Sequence, residues 1–340
     1  MGTSALDLTT LPKVELHVHL EGTVSAATAS ELARRRGDDP AAVLVLDGDA
    51  YPPRFDGFEH FLRTFLATSA QVRSPDDLAH VAAAFARTQA GQRVAWSEAT
   101  FTAVTMVQRG MEPAPMWRAL VDGFAEVPDT AVALIVDTPR DLPLEASHET
   151  VRLVEHALTD GAPIVALGLT GIEGSRPESE FVHLREAADR LGLGLVVHAG
   201  ETGTADVVRS ALDHLRPDRI AHGIAALSDR VLVDRLVREE VVLDVCPSSN
   251  VTLGIVPALD VHPVRALAEA GVPFTIGSDD PPFFSTTLTD ELVHVARLLG
   301  LTGRGIADLQ RRAVAASFAP EPLKRDLSQR IDAWEAEASA

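Results

Sequence analysis

The chain has a single cysteine, Cys246, so no disulfide can close within it and no multi-cysteine metal site can be built. Any bound metal must be held by histidines and carboxylates. Positive charge is scarce: 30 Lys and Arg stand against 49 Asp and Glu, a formal net charge of −19, and no basic stripe able to neutralise phosphates stands out. Nucleic acid is therefore not an expected partner. The opening MGTSALDLTT lacks the basic and apolar regions of a secretory leader, and no apolar run approaches the roughly 18 residues of a membrane span. No membrane association is expected, and the sequence reads as cytoplasmic. Low-complexity segments and internal repeats are absent too, which leaves a globular chain.

What is present is an alternation. With 340 residues and 46% hydrophobic content, the chain can bury a large core, as two ordinary domains or one barrel. Eight β-rich runs recur, at 14–20, 93–101, 131–138, 162–171, 192–200, 219–223, 241–250 and 273–280. Segments with helical spacing of apolar residues lie between them, among them 75–90, 148–160, 178–192 and 261–271. Strand then helix, repeated in this way, is the pattern of a (β/α)8 TIM barrel, here read as one domain over residues 1–340. A doubly wound sheet competes with it. The barrel is favoured because Glu98, Asp137, Gly171, His198, His222, Asn250 and Asp279 all fall at or near the ends of their runs, where a barrel assembles its active site.

An insertion at about 38–74 interrupts the pattern after the first strand. In it Phe58, Phe61, Leu62 and Phe65 follow i, i+3, i+4, i+7 spacing and give a helix one apolar face. That face serves either core packing or a lid over an aromatic substrate, with Phe61 and Phe65 against it.

The chemistry starts at LPKVELHVHLEGT. Residues two apart on a strand point the same way, so His17 and His19 can both project into the barrel mouth. His198 ends the fifth run in VVHAGE and Asp279 ends the eighth in TIGSDD, so a third imidazole and a carboxylate converge at the same end. Three His and one Asp suit Zn²⁺ with a position left for water, whose pKa the metal can lower to roughly 7. Glu201, His222 and Asp280 are of the right types to move protons beside such a site.

PKVELHVHLEGT, HAGE, RIAHG, CPSSN and SDDP occur in the order and spacing of the adenosine deaminase family, which the chain resembles over about residues 11–320. The resemblance implies a zinc aminohydrolase on a (β/α)8 barrel, with one Zn²⁺ per chain held by His17, His19, His198 and Asp279. It implies that Glu201 protonates the purine N1, that His222 handles the attacking water, and that Asp280 hydrogen-bonds the purine at N7. Gly171 resembles the family glycine whose N–H meets N3. The implied reaction adds hydroxide to C6 of a 6-aminopurine and expels ammonia, leaving the 6-oxopurine. Cytidine-type zinc deaminases need H-x-E and P-C-x-x-C, for which Cys246 has no partner. A two-metal hydrolase is disfavoured because the only lysines, Lys13 and Lys324, lie outside the fourth run.

Two departures bear on the substrate. Glu21 stands where adenosine-specific members carry an Asp that contacts the ribose 5′-hydroxyl, and Glu there resembles relatives that accept free adenine or other purines. Ala221 replaces a glycine before His222 and adds a methyl group near the water. GLTGIEGSRP, HAGETGTADVVRSALDHL and SDDPPFFSTTL also resemble relatives that deaminate aminodeoxyfutalosine, an adenosine-like intermediate of menaquinone synthesis with a carboxylated aryl group. That carboxylate needs a cationic partner, with Arg63, Arg109 and Arg176 as candidates. The leading expectation is a 6-aminopurine nucleoside, adenosine or a 5′-modified adenosine, with adenine and aminodeoxyfutalosine as alternatives and a non-catalytic purine-binding barrel as a remote one. The expected partner is a small-molecule purine; an oligomer is compatible with the sequence but not derivable from it.

Overall fold

The computed structural model describes residues 7–338. Eight strands form one parallel sheet in sequence order: β1 (Lys13–His19), β2 (Val94–Phe101), β3 (Ala131–Pro139), β4 (Ile164–Thr170), β5 (Gly194–Ala199), β6 (Arg219–His222), β7 (Val242–Val245) and β8 (Phe274–Ile276). The last strand returns to the first through a parallel bridge between Val18 and Asp279, in which Asp279 N donates to His17 O at 3.1 Å and His19 N to Asp279 O at 2.9 Å. The sheet thus closes into the (β/α)8 barrel.

Period-two alternation partitions each strand between two cores. Leu134, Val136, Leu167, Leu169, Leu195 and Val197 face the surrounding helices in the main hydrophobic core. Their neighbours Ile135, Ala166, Val196 and Ala221 form a separate layer inside the barrel. Local signals set the helix starts. Before Pro75–Gly91, Ser74 and Asp77 make a reciprocal capping box with Pro75 in the first turn, which satisfies amides the helix leaves open.

Under that inner layer the barrel is closed by charge. Arg219, at the start of β6, donates through Nη2 to Glu98 at 2.6 Å, through Nε to Asp244 at 2.9 Å and through Nη1 to Ala316 O at 2.9 Å. The Phe318 ring lies 4.6 Å from its guanidinium. Glu98 is therefore a structural acid serving Arg219, Trp96 and Phe318, and it does not line the active-site cavity as its place in the sequence suggested. The open, C-terminal end of the barrel is left for chemistry.

Two strands stop four or five residues short of their sequence runs. In VVLDVCPSSN the strand ends at Val245, because Pro247 cannot continue a ladder and instead opens the short helix Pro247–Thr252. The eighth strand ends at Ile276, and the chain then turns so that Asp279 can take the left-handed backbone that carries it against β1. The insertion forms two helices, Pro40–Val43 and Gly57–Ser69. Among the described residues, no helix is long and apolar enough to cross a membrane.

Candidate active site

His17 and His19 leave β1 where its register with β2 shifts between Glu15 and Val18. Their rings lie 5.6 Å apart, and the His198 ring from β5 is 4.9 Å from His17 and 5.1 Å from His19. His19 Nε2 and His198 Nε2 approach to 3.1 Å, and Asp279 Oδ1 is 3.4 Å from Nε2 of both His17 and His19. His17 Nδ1 lies 3.2 Å from Asp244 O; donating there leaves the Nε2 lone pair facing the cluster. That Nε2 is buried and has no hydrogen-bond partner among the described residues.

Burial, with the neighbouring imidazoles, pushes His19 down to about 4, His222 down to about 3 and His198 well below the ordinary range. Only His17 is raised, because Asp279 outweighs its burial. Burial pushes Asp279 up, but His17 beside it, with the charges of the other imidazoles, holds it well below the carboxylate norm. Several imidazoles kept neutral around one carboxylate, with a buried nitrogen aimed at their centre, fit a divalent cation. His17, His19 and His198 offer ligand atoms within 4.8 Å of one another, and so do His17, His222 and Asp279. His222 is thus close enough to join the set as well as to serve beside it.

One cavity opens above these groups. His19, His198, Asp279, Glu201, His222 and Asp280 line its floor, and Glu21 and Gly171 line it further out. Glu201 Oε2 is 3.7 Å from His222 Nε2; burial, then the charges of Asp279 and Glu173, raise the Glu201 carboxyl well above its ordinary range. Burial and Asp279 do the same to Asp280, whose Oδ1 has no hydrogen-bond partner among the described residues. Both acids line the cavity, in surroundings that favour their protonated form. Asp280 is wedged against the turn after β1, where a Cβ on Gly22 would lie 1.7 Å from its Oδ1, so only glycine fits.

Glu21 accepts from Thr102 N at 2.9 Å, and burial and the nearby Asp137 push it up to about 8. Asp137 accepts from the Thr102 hydroxyl at 2.8 Å and from the Thr170 hydroxyl, and burial pushes it up to about 6. The opposite wall is apolar: Phe58, Phe61, Leu62 and Phe65 of the helix Gly57–Ser69 line it. Phe61 also packs edge-on against Phe55 and Phe283, at 5.4 and 5.9 Å. Core packing and contact with the cavity are therefore one face of one helix. Of the three candidate arginines, Arg109 alone lines the cavity, with Nη1 donating to Ser69 Oγ at 3.1 Å. Arg63 and Arg176 pair along their own segments with Glu59 and Glu180, at 3.6 and 3.0 Å.

The structure brings the expected metal ligands together with Glu201, His222, Asp280, Glu21, Gly171, Phe61 and Phe65 at this one place, leaves Glu98, Asn250, Arg63 and Arg176 outside it, and adds two residues that sequence reasoning missed. Arg140, fully buried, donates to Thr170 O at 3.1 Å, to Glu178 at 2.9 Å and to His198 O, and so fastens the ends of β4 and β5 together. Glu173 accepts backbone N–H groups of the loop that carries Glu201. Asn250 braces its own region by bonding His262 at 3.1 Å, and Cys246 is buried with its thiol pushed up by burial, so neither reaches the chemistry.

Residues 12–334 match the family model described as Adenosine deaminase. An aminodeoxyfutalosine deaminase of Streptomyces coelicolor is 37% identical over 334 residues, covering 96% of this chain and 85% of the relative. An adenine deaminase of the same organism is 37% identical over 314 residues, covering 91% and 90%. Among solved structures, an adenine deaminase from Arthrobacter aurescens superposes with a TM-score of 0.84 at 28% identity, covering 95% of this chain and 99% of that one.

Proposed function

This chain belongs to the adenosine deaminase family and is an aminohydrolase of adenine-type substrates, and from that premise we propose a zinc enzyme that deaminates a 6-aminopurine bearing a carboxylated extension, of the aminodeoxyfutalosine kind. The relatives favour aminodeoxyfutalosine and adenine over adenosine itself, which reverses the order of substrates expected from sequence. One observation carries the choice between them: the cavity runs from the histidine cluster along the phenylalanine wall to Arg109, a cation with no carboxylate of the described residues within hydrogen-bond reach. Free adenine would leave that arm unused. The buried acids Glu21 and Asp137 favour adenine as the second reading, since carboxyls raised in this way can donate to a ring nitrogen as well as accept from a ring N–H on the purine's far side.

His17, His19, His198 and Asp279 would hold the Zn²⁺, which supplies a hydroxide nucleophile near neutral pH by lowering the pKa of a water to roughly 7. The remaining steps fall to the chain. Glu201, kept protonated by burial and by two neighbouring carboxylates, delivers its proton to N1 as electrons move onto the ring. His222, kept neutral by burial, can accept and orient the proton of the attacking water. Asp280 in its acid form donates to N7, and Gly171 on the rim offers its N–H to N3. Ammonia leaves C6 with the proton that His222 took from the water, while the hydroxyl proton returns to Glu201 as the tetrahedral carbon collapses to the 6-oxopurine.

The test incubates purified protein with adenine, adenosine, 5′-deoxyadenosine and aminodeoxyfutalosine and follows the ultraviolet shift to the 6-oxo product. The highest kcat/KM is expected with aminodeoxyfutalosine. Preference for adenine transfers the proposal to the second reading, and no shift with any of the four overturns it.

A further inference from the structure

We propose that Glu173 is a positioning residue for Glu201, acting through the backbone of the loop on which Glu201 stands. The inference rests on Glu201 being the proton donor of the reaction proposed above.

Glu173 lies in the loop after β4, and its carboxylate reaches across to the loop after β5. Oε2 accepts from Gly200 N at 2.9 Å and from Gly203 N at 2.8 Å, while Oε1 accepts from Glu201 N at 2.9 Å. Three amides of one short loop converge on a single side chain, the arrangement by which backbone nests bind anions. Here the anion comes from the chain itself. On its carbonyl side the same loop is tied by Ala225 N to Gly200 O at 3.0 Å. Glu201 thus stands on a loop clamped from both sides.

Steric fit points the same way. A Cβ on Gly203 would lie 2.3 Å from Glu173 Oε2, so the loop is built around the carboxylate and admits it only because position 203 has no side chain. A proton donor misplaced by about 1 Å costs on the order of 100-fold in rate. Holding the amide of Glu201 itself is the shortest route to preventing that, and Glu173 has no other hydrogen bond to a described side chain of the cavity.

Glu173→Gln is the diagnostic change, because the amide keeps one oxygen for Gly200 and Gly203 and turns an N–H toward the amide of Glu201. In the zinc-loaded enzyme, kcat should fall about 10- to 100-fold with KM within about threefold and zinc content equal to wild type. Introduced into Glu201→Gln, the same change should cost less than about threefold more, since there is then no acid to position. Gly203→Ala, which pushes the carboxylate away from the other side, should reproduce the effect and keeps the test open if Glu173→Gln does not fold. Wild-type kcat in the variants, loss of zinc, or an equal loss in both backgrounds overturns the positioning role. A Glu201→Gln enzyme as fast as wild type instead overturns the reading beneath it.

Discussion

Asp279 and His222 hold their side chains on left-handed backbone, at φ 62° and 64°, a conformation that costs a non-glycine residue about 1–3 kcal/mol. Both face the cavity, and the fold carries this strain where it aims a carboxylate and an imidazole at His17. The metal-holding groups and Asp280 should accordingly separate by experiment. His17→Ala removes the buried nitrogen and should abolish bound zinc and turnover together. Asp280→Ala should retain zinc and lose turnover by roughly 100-fold or more, as when a transition-state donor is deleted; elemental analysis beside the rate distinguishes them, and stoichiometric zinc in the first variant would refute the ligand assignment. Arg109→Ala should lower kcat/KM for aminodeoxyfutalosine by about 10- to 100-fold, the worth of a hydrogen bond to a charged group, and affect adenine far less. The histidine pair was legible in sequence because strand alternation alone puts both rings on one side. Arg109 was not separable from Arg63 and Arg176, since which arginine meets the cavity depends on how helices dock. Glu173 left no pattern at all, because its partners are main-chain amides of a loop distant in sequence.

The helix Gly57–Ser69 has one side with two duties. Phe61 is buried among Phe55, Phe283 and Phe284 and also meets the cavity, so it couples the wall of the site to the segment that follows Asp280. Phe61→Ala should cost about 3 kcal/mol of stability, at the lower end for an aromatic truncation because the gap opens to the cavity. KM should rise with it; urea denaturation and steady-state kinetics check the pair, and a stable variant with unchanged KM would mean that the helix contacts neither core nor substrate. The i, i+3, i+4, i+7 spacing could not distinguish packing from contact with a substrate, because one face of the helix meets both the core and the cavity. Helices with strong end signals, such as Ser74–Pro75 before Pro75–Gly91, were legible to within a residue. The seventh and eighth strands were overrun, because apolar character continues past the points where Pro247 and the turn to Asp279 end the ladder.

At the scale of the molecule, the barrel divides polar groups between its two ends, with Arg219, Glu98 and Asp244 closing one and the histidine cluster open at the other. Strand–helix alternation made that architecture legible; the charge plug was not, because it joins residues 98, 219, 244 and 316 that only closure brings together. Buried ionisable groups away from the cluster should make stability depend on pH. Burial pushes Glu291 up to about 7 from an ordinary 4.5, although it accepts from Ser248 N at 3.2 Å and Thr286 Oγ1 at 2.7 Å. Between those two values the folded chain holds a proton that the unfolded chain has released, so this contribution is complete below 4.5 and is lost as pH rises through 7. His262, pushed down by burial to about 4 from 6.5, acts oppositely: the unfolded chain takes up the proton, and stability is lost as pH falls through that window. Glu291→Gln should therefore gain on the wild type steadily from pH 4.5 to 7 in urea denaturation, and a difference independent of pH would contradict the assignment.

The account stands on a divalent metal at His17, His19, His198 and Asp279. It is tested most directly by stripping the protein with a chelator and titrating Zn²⁺ back while recording deamination. Activity should be absent in the stripped protein and rise linearly to a plateau at one zinc per chain. A stripped protein that still turns over, or a plateau reached only at two, would contradict it.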